Sequence, residues 1–270
     1  MQDTRVSIHA HTCLQSSPTG VQQRAAISIQ KSKDAMFEQV KDFTLETLWP
    51  TRCAICDKPA TLLCEQCTLS LPYLDYWRAC PVCGAHAGAL QCCECNTYTL
   101  PDPTQNALAS STSSVLFTET SARIVRTYKD HGEQRLAGVM AQIMARSLPP
   151  ELLNTLDSLT YIPASQKAYL KRGFDHAELL AQHTSQLLHI PLIACFERPE
   201  TKDQRSLGKT ERLHNTEDAF SLCAGCAIEQ KTLLLIDDVR TTGATLQGAA
   251  STLLHAHAAK VHALTFARVP

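Results

Sequence analysis

The chain has 270 residues, enough for one domain of ordinary size and a small second module. Hydrophobic residues make up 44% and charged residues 19%, and 25 Lys and Arg stand against 26 Asp and Glu, which gives a formal net charge of -1. This balance excludes a protein that coats nucleic acid through net charge alone, and the composition excludes collagen-like, coiled-coil and wholly disordered chains.

The N-terminal part of the sequence carries little hydrophobic pattern. Residues 1–33 are polar and aperiodic, so we expect a disordered tail without the apolar core of a signal peptide. A short amphipathic helix is predicted over residues 34–49, ended by Pro50. No stretch approaches the roughly 20 apolar residues that a membrane helix needs. We therefore expect a cytoplasmic protein that does not insert into a membrane.

The cysteine content is the outlier of the composition. Of 13 cysteines, nine fall between Cys53 and Cys95, and eight of these form four Cys-x-x-Cys pairs. In a reducing compartment this density indicates metal binding before disulfides. Two such pairs supply the four thiolates of a closed tetrahedral zinc site, which folds a module and does not catalyse. The predicted zinc ligands are Cys53, Cys56, Cys64, Cys67, Cys80, Cys83, Cys92 and Cys95. Together with the helix they are predicted to form a zinc-binding module over residues 34–100.

The order of the pairs leaves the zinc pairing open. Sequential pairing, in which the first two pairs form one site and the last two form the other, keeps each loop short and self-contained. A crossed arrangement is the alternative that spacing does not exclude. Cys93 is left over, and a redox role for one pair is the weaker interpretation because nothing around it resembles a thioredoxin motif.

After a Pro-, Ser- and Thr-rich linker over residues 101–114, the sequence alternates between strand and helix patterns. The residues Leu136, Val139, Met140, Ile143 and Met144 recur with the helical period. This alternation predicts an α/β domain over residues 115–270, with a mostly parallel sheet flanked by helices. Strands are predicted at 115–117, 159–162, 231–236 and 261–268, and helices around 136–144, at 177–188 and from 244 to about 254.

The most informative segment runs from Leu233 to Thr245. An aliphatic strand ends in Asp237 and Asp238, where ligands of open α/β sheets bind, and these carboxylates suit vicinal hydroxyls and a hydrated Mg²⁺. Gly243 allows close approach of a phosphate to the start of a helix, where backbone N–H groups converge. A solvated turn before a capped helix is the alternative. The predicted 5′-phosphate loop consists of Thr241, Thr242, Gly243, Ala244 and Thr245.

This segment resembles the signature of type I phosphoribosyltransferases, whose substrate is phosphoribosyl pyrophosphate (PRPP). The resemblance implies that Asp237 and Asp238 contact the ribose hydroxyls and that the loop holds the 5′-phosphate, with Mg²⁺ bound alongside PRPP. It also implies a phosphoribosyltransferase-like fold for residues 115–270.

The remaining motifs narrow the resemblance to the ComF competence family, which carries a double zinc ribbon. The block from Ile162 to Ala177 is similar to that family's strand end and R-G-F-N-Q-A motif. Further family positions match at Tyr128, Lys129, Gln204, Leu207, Arg212, Asn215, Ala219 and Phe220. The chain departs from the pattern where Asp175-His176 replaces Asn-Gln, and where Arg240 replaces an aromatic residue.

A basic cluster follows the strand at 159–162. Lys167, Lys171 and Arg172 are predicted to face the pyrophosphate of PRPP, since this group needs cationic donors, and a solvated helix start is the alternative. The basic segment 198–212 is interpreted as a hood over the site or as a surface for single-stranded DNA.

Two functions are weighed. The family resemblance implies a PRPP-binding protein that supports uptake or processing of single-stranded DNA in natural transformation or DNA utilisation, with the DNA-uptake machinery as partner. The alternative is an active phosphoribosyltransferase of nucleotide salvage with an appended zinc module.

Overall fold

The computed structural model describes residues 50–90, 92, 95, 106–199 and 220–270. All described helices and strands belong to one compact unit, residues 52–270. The predicted tail, the predicted helix at 34–49 and residues 101–105 of the predicted linker lie outside the described residues, so the domain boundaries there stay predictions.

The centre of the unit is a four-stranded parallel sheet with the order β1-β4-β3-β2. Its strands are β1 (Ser110–Leu116), β2 (Ser158–Tyr161), β3 (Thr232–Arg240) and β4 (Lys260–Arg268). The helices are α1 (Glu65–Leu69), α2 (Glu119–Lys129), α3 (Leu136–Ser147), α4 (Pro150–Leu153), α5 (Gln166–Arg172), α6 (His176–Leu188) and α7 (Ala244–His255). The predicted class, a parallel sheet flanked by helices with a cysteine-rich N-terminal part, is confirmed.

Alternation along β3 separates the two helical layers. Leu234 and Ile236 are fully buried in the cluster that contains α2, α3 and α6. Leu233 and Leu235 lie in a second cluster with α7. Because successive side chains of a strand point to opposite faces, a continuous apolar run is what a strand covered on both faces requires.

Two features of the sheet differ from the sequence prediction. Strand β1 begins at Ser110, inside the predicted linker, because its polar side chains pair across the sheet: Ser113 Oγ lies 2.7 Å from Thr265 Oγ1. Strand β3 continues past the predicted end to Arg240, because β4 pairs with it as far as Arg268. Strand β2 stops at Tyr161, opposite Ile236, so the acidic pair lies just beyond the end of β2.

The cysteine-rich region packs against the edge strand β1. Tyr73 forms an antiparallel bridge with Val115, and the Leu74 N–H donates to the Ser114 carbonyl at 2.9 Å. Gly84 approaches the same strand so closely that a Cβ at this position would lie 2.4 Å from the Ser111 carbonyl oxygen. Its φ of +71° is also one that L side chains rarely adopt, so this contact depends on glycine.

Candidate functional site

The eight predicted zinc ligands form two groups of four thiols. Within each group the sulfur atoms all lie within 4.8 Å of one another, close enough to share one ion. The first group is Cys53, Cys56, Cys64 and Cys67, and the second is Cys80, Cys83, Cys92 and Cys95. The thiols therefore group as sequential pairs and not in the crossed arrangement. Cys93 lies outside the described residues.

The donor set of both groups fits a closed metal site. Six of the eight cysteines are buried to below a tenth of their surface, which excludes water from the sulfur atoms. Burial works to raise the pKa of the Cys53 thiol, but backbone N–H groups of neighbouring residues outweigh it and lower this pKa to about 6. Four convergent thiols are the ligand chemistry of structural zinc, so both groups can hold this metal.

The acidic pair lies where β3 extends beyond β2. Asp238 continues the row of Leu234 and Ile236, and its side chain meets the layer of α2 and α6. The Asp238 N–H donates to Asp237 Oδ1 at 2.8 Å, and the Val239 N–H donates to Asp238 Oδ1 at 2.9 Å. These bonds fix both carboxylates at the carboxyl end of the sheet, as the sequence predicts.

Two further side chains complete this cluster. Lys129, the last residue of α2, donates from Nζ to Asp238 Oδ2 at 2.6 Å. His176, the first residue of α6, places Nε2 3.8 Å from the same oxygen. His176, Asp237 and Asp238 form a group whose ligand atoms all lie within 4.8 Å of one another. Sequence analysis marked Lys129 as a match to the family pattern and His176 as a departure from it, and did not predict that they meet Asp238.

Burial and neighbouring charges shift the pKa values of the two carboxylates in opposite directions. Burial, together with the charge of Asp238, raises the pKa of Asp237 to about 8. Burial also works to raise the pKa of Asp238, but the Lys129 ammonium outweighs it and holds this pKa at about 2. Burial lowers the pKa of His176 to about 4, so its imidazole is neutral near pH 7. The free site thus holds one ionised carboxylate, and a bound cation would favour ionising the second.

The raised pKa of Asp237 predicts a pH-dependent stability. The ordinary pKa is 3.8, so between pH 3.8 and 8 the folded state holds a proton that the unfolded state has released. The contribution of Asp237 to the free energy of unfolding is fully present below pH 3.8 and is lost as the pH rises through 8. His176 has the opposite dependence, but only between pH 4 and 6.5. From pH 6.5 to 8, the free energy of unfolding of the wild type should therefore fall by about 1–2 kcal/mol relative to Asp237→Asn.

Urea unfolding of both proteins at several pH values, without PRPP and Mg²⁺, measures this difference. Parallel pH profiles of the two proteins would show that folded Asp237 does not retain its proton.

The predicted phosphate loop follows directly on β3. Gly243 is the N-cap of α7 with φ +80°, and a Cβ there would lie 2.8 Å from an Arg240 guanidinium nitrogen. No side chain caps α7 at its N-cap residue, and the hydroxyl-bearing Thr241, Thr242 and Thr245 are exposed. The Ala244 N–H donates to Thr242 Oγ1 at 3.4 Å, and a helix start flanked by exposed hydroxyls suits an anion.

The predicted pyrophosphate cations separate into two kinds. Lys167 and Lys171 are exposed on α5. Arg172 is half-buried, and its guanidinium lies 3.3 Å from His176 Nδ1 and 3.9 Å from an Asp130 carboxylate oxygen. The structure therefore brings Arg172, but neither lysine, into contact with the cluster around Asp238.

Asp175 anchors the start of α6 next to the site. One carboxylate oxygen accepts from the N–H groups of Ala177 and Glu178, and the other accepts from the Ala164 N–H at 2.9 Å and from Arg198 at 2.7 Å. Aspartate at this position, where the family has Asn, thus fixes α6 and with it His176. The rest of the predicted hood, residues 200–212, and the family positions Gln204, Leu207, Arg212, Asn215 and Ala219 lie outside the described residues.

Among the described helices, none combines the length and the apolar character needed to cross a membrane.

Comparison with known proteins identifies several competence and DNA utilisation proteins as relatives, although no family model matches. Competence protein ComFC of Bacillus subtilis is 27% identical over 228 residues, 84% of this chain and 91% of that protein. ComFC of Streptococcus pneumoniae is 30% identical over 52% of this chain and 60% of that protein. DNA utilization protein YhgH of Escherichia coli K12 is 32% identical over 39% of this chain, and the match spans 46% of that protein.

Solved structures similar to the chain are phosphoribosyltransferases. A purine phosphoribosyltransferase from Pyrococcus horikoshii has a TM-score of 0.27 and 15% identity, over 48% of this chain and 70% of that one. A hypoxanthine phosphoribosyltransferase from Staphylococcus aureus has a TM-score of 0.30 and 17% identity, over 47% and 62%. Similarity of this extent says nothing of substrate or chemistry. The relatives named for competence and DNA utilisation, together with the two Cys₄ groups, confirm the resemblance of this chain to the ComF competence family.

Proposed function

We propose that this protein is a ComF-type, phosphoribosyltransferase-like protein that binds PRPP with Mg²⁺. The observation that carries the proposal is the placement of Asp237 and Asp238 near the end of β3, a few residues before Gly243, the N-cap of α7. One short loop thereby connects two groups of the site. These are a carboxylate pair that can bind ribose hydroxyls and a helix start that can bind the 5′-phosphate.

Each part of PRPP has a proposed set of residues. The acidic pair takes the ribose hydroxyls and the magnesium, and Thr241, Thr242, Gly243, Ala244 and Thr245 take the 5′-phosphate. Arg172 binds the pyrophosphate together with Lys167 and Lys171 of the same helix, because several cations are needed to neutralise its charge. Magnesium would neutralise phosphate charge and favour the ionised form of Asp237. The Lys129 ammonium donates to Asp238, so magnesium would be the cation that contacts Asp237.

The two Cys₄ groups are proposed to hold two structural zinc ions. Their thiols come from tight turns and already converge, and most are buried. Zinc would stabilise the described part of 52–95, whose two own buried clusters consist mainly of the cysteines, since structural sites of this kind contribute folding free energy directly.

The cellular role is proposed from the relatives. Proteins named for competence and DNA utilisation match the chain, one of them over 84% of its length. We therefore infer that this protein acts in the cytoplasm in natural transformation or DNA utilisation, with single-stranded DNA and the DNA-uptake machinery as partners.

Calorimetric titration of the purified, zinc-loaded chain with PRPP and Mg²⁺ tests the proposal. Saturable binding near one PRPP per chain is expected, and repeating the titration with single-stranded DNA measures whether the two ligands interact. Absence of PRPP binding would reject the proposed site. Transfer of the ribosyl group to a free purine or pyrimidine would instead indicate the salvage enzyme.

A further inference from the structure

One arginine holds both ends of the segment that carries the predicted pyrophosphate cations. This α5 segment comprises residues 164–175 and contains α5 with Lys167, Lys171 and Arg172. One guanidinium nitrogen of Arg198 donates to the Ala164 carbonyl at 2.8 Å and to the Asp175 carboxylate at 2.7 Å. The same carboxylate oxygen accepts from the Ala164 N–H at 2.9 Å. These three residues thus join the two ends of the α5 segment.

Arg198 also contacts the middle of the α5 segment. Its guanidinium carbon lies 4.2 Å from the ring centroid of Tyr169, within the range of a cation–π interaction. The neighbouring backbone adds a further bond, since the Gln166 N–H donates to the Pro199 carbonyl at 3.1 Å. Residues 198 and 199 therefore contact the first turn and the centre of α5 as well as the two ends of the segment.

The ion pair between Arg198 and Asp175 lies largely out of water. The Asp175 side chain is 1% exposed and the Arg198 side chain 23%. A buried carboxylate is costly unless it is both hydrogen-bonded and paired with a cation, and Asp175 meets both conditions. The carboxylate stands where the family pattern has an uncharged Asn, so this charge pair accompanies a departure of the chain from that pattern.

Helix α5 has little packing of its own to fix its position. It is seven residues long, and none of these residues is buried. Helices this short gain little stability from their own backbone hydrogen bonds, so tertiary contacts must place them. The contacts of Arg198 are of this kind, and they connect α5 to the start of α6. There His176 lies 3.8 Å from Asp238 of the acidic pair.

We propose that Arg198 is a positioning residue that sets α5 relative to the acidic pair and thereby gives the site its preference for a ligand that carries pyrophosphate. The inference rests on the proposed PRPP site and deepens it. Arg198 contacts no ligand in this role. It places the cations of α5 at the distance from the acidic pair that a pyrophosphate on the ribose requires.

Comparison of two ligands tests this inference on the full, zinc-loaded chain. Ribose 5-phosphate lacks the pyrophosphate of PRPP but retains the 5′-phosphate and the ribose hydroxyls, so it reports on the rest of the site. We expect Arg198→Met to weaken the binding of PRPP with Mg²⁺, measured by calorimetry, about 10–100-fold, because small displacements of binding groups have large effects. The affinity for ribose 5-phosphate should stay at its wild-type value.

Three further variants serve as controls. Arg52→Met removes another Arg–Asp ion pair, in the cysteine-rich region, and should leave both affinities unchanged. Arg198→Lys keeps the charge and should restore part of the PRPP affinity. Asp175→Asn keeps an acceptor for the N–H groups of Ala177 and Glu178 but removes the charge beside Arg198, and should weaken PRPP binding about 5-fold.

The possible outcomes separate this inference from the proposed function. If the wild type binds PRPP and Arg198→Met keeps the ratio of the two affinities, the inference is wrong and the proposed function stands. Equal weakening of both ligands would also overturn it, since that result indicates general loosening of the fold. If Arg198→Met does not fold by circular dichroism, Asp175→Asn decides by the same ratio. Absence of PRPP binding in the wild type would reject the proposed function and the inference together.

Discussion

Replacing Asp237 and Asp238 together by asparagine is expected to weaken the binding of PRPP, measured by calorimetry with Mg²⁺, by at least about 100-fold. Both carboxylates are held by backbone N–H groups at the end of β3, so their positions are preorganised for ligand hydroxyls. A hydrogen bond to a charged group contributes about 1.5–3 kcal/mol, and the double substitution replaces two acceptors, both charged when Mg²⁺ is bound, by neutral amide oxygens. Asparagine retains the size of the side chain but not its charge.

The control for this prediction is Glu229→Gln. Glu229 is exposed just before the amino end of β3, at the opposite end of the strand from the acidic pair, so its substitution removes one carboxylate charge without touching the site. Because the double variant deprives the partly buried Lys129 of its partner, its fold is checked by circular dichroism, and Lys129→Met is added if stability falls. Unchanged PRPP affinity in a folded double variant would remove the acidic pair from the site.

The second large effect is expected for Cys64→Ser, which should lower the zinc content from about two ions to about one per chain. Cys64 is buried, its sulfur lies 3.7 Å from that of Cys56, and its N–H donates to the Cys53 sulfur. Structural zinc binding contributes about 10–16 kcal/mol in small zinc modules, so losing it should unfold residues 52–70. Metal analysis and hydrogen exchange of this region measure the two effects.

A second ligand variant and a control variant accompany this prediction. Cys83→Ser should remove the other zinc, and Cys223→Ser, outside both groups, should leave the zinc content unchanged. Retention of both ions by Cys64→Ser would contradict its assignment as a ligand. Loss of both ions would show that the two groups do not bind metal independently.

Sequence patterns predicted the main helices and strands because their periodicity reflects burial. The helical spacing of Leu136, Met140 and Met144 corresponds to fully buried positions of α3, and the aliphatic run before Asp237 is β3. The Cys-x-x-Cys spacing likewise predicted the two groups of four converging thiols, because two thiolates of one turn can reach one ion.

Elements with a polar pattern were harder to predict. Helix α2 was missed although Ile124, Val125 and Tyr128 are buried on one face, because these are its only large apolar side chains and the rest of the helix is polar or small. Strand β1 begins with Ser110, whose hydroxyl pairs with His262 Nδ1 at 2.7 Å, and a run of serine and threonine lacks the alternation that marks a strand.

The sequence by itself determined the thiols of both Cys₄ groups, the acidic pair and the glycine before α7, since each lies within a short segment whose spacing fixes its geometry. Only the tertiary structure decided which Cys pairs share a site and that Lys129, 109 residues away, neutralises Asp238. It also decided that Arg268 reaches the Cys83 carbonyl. Such contacts depend on how strands and helices pack across the sheet, and local spacing carries no information about partners that distant in the chain.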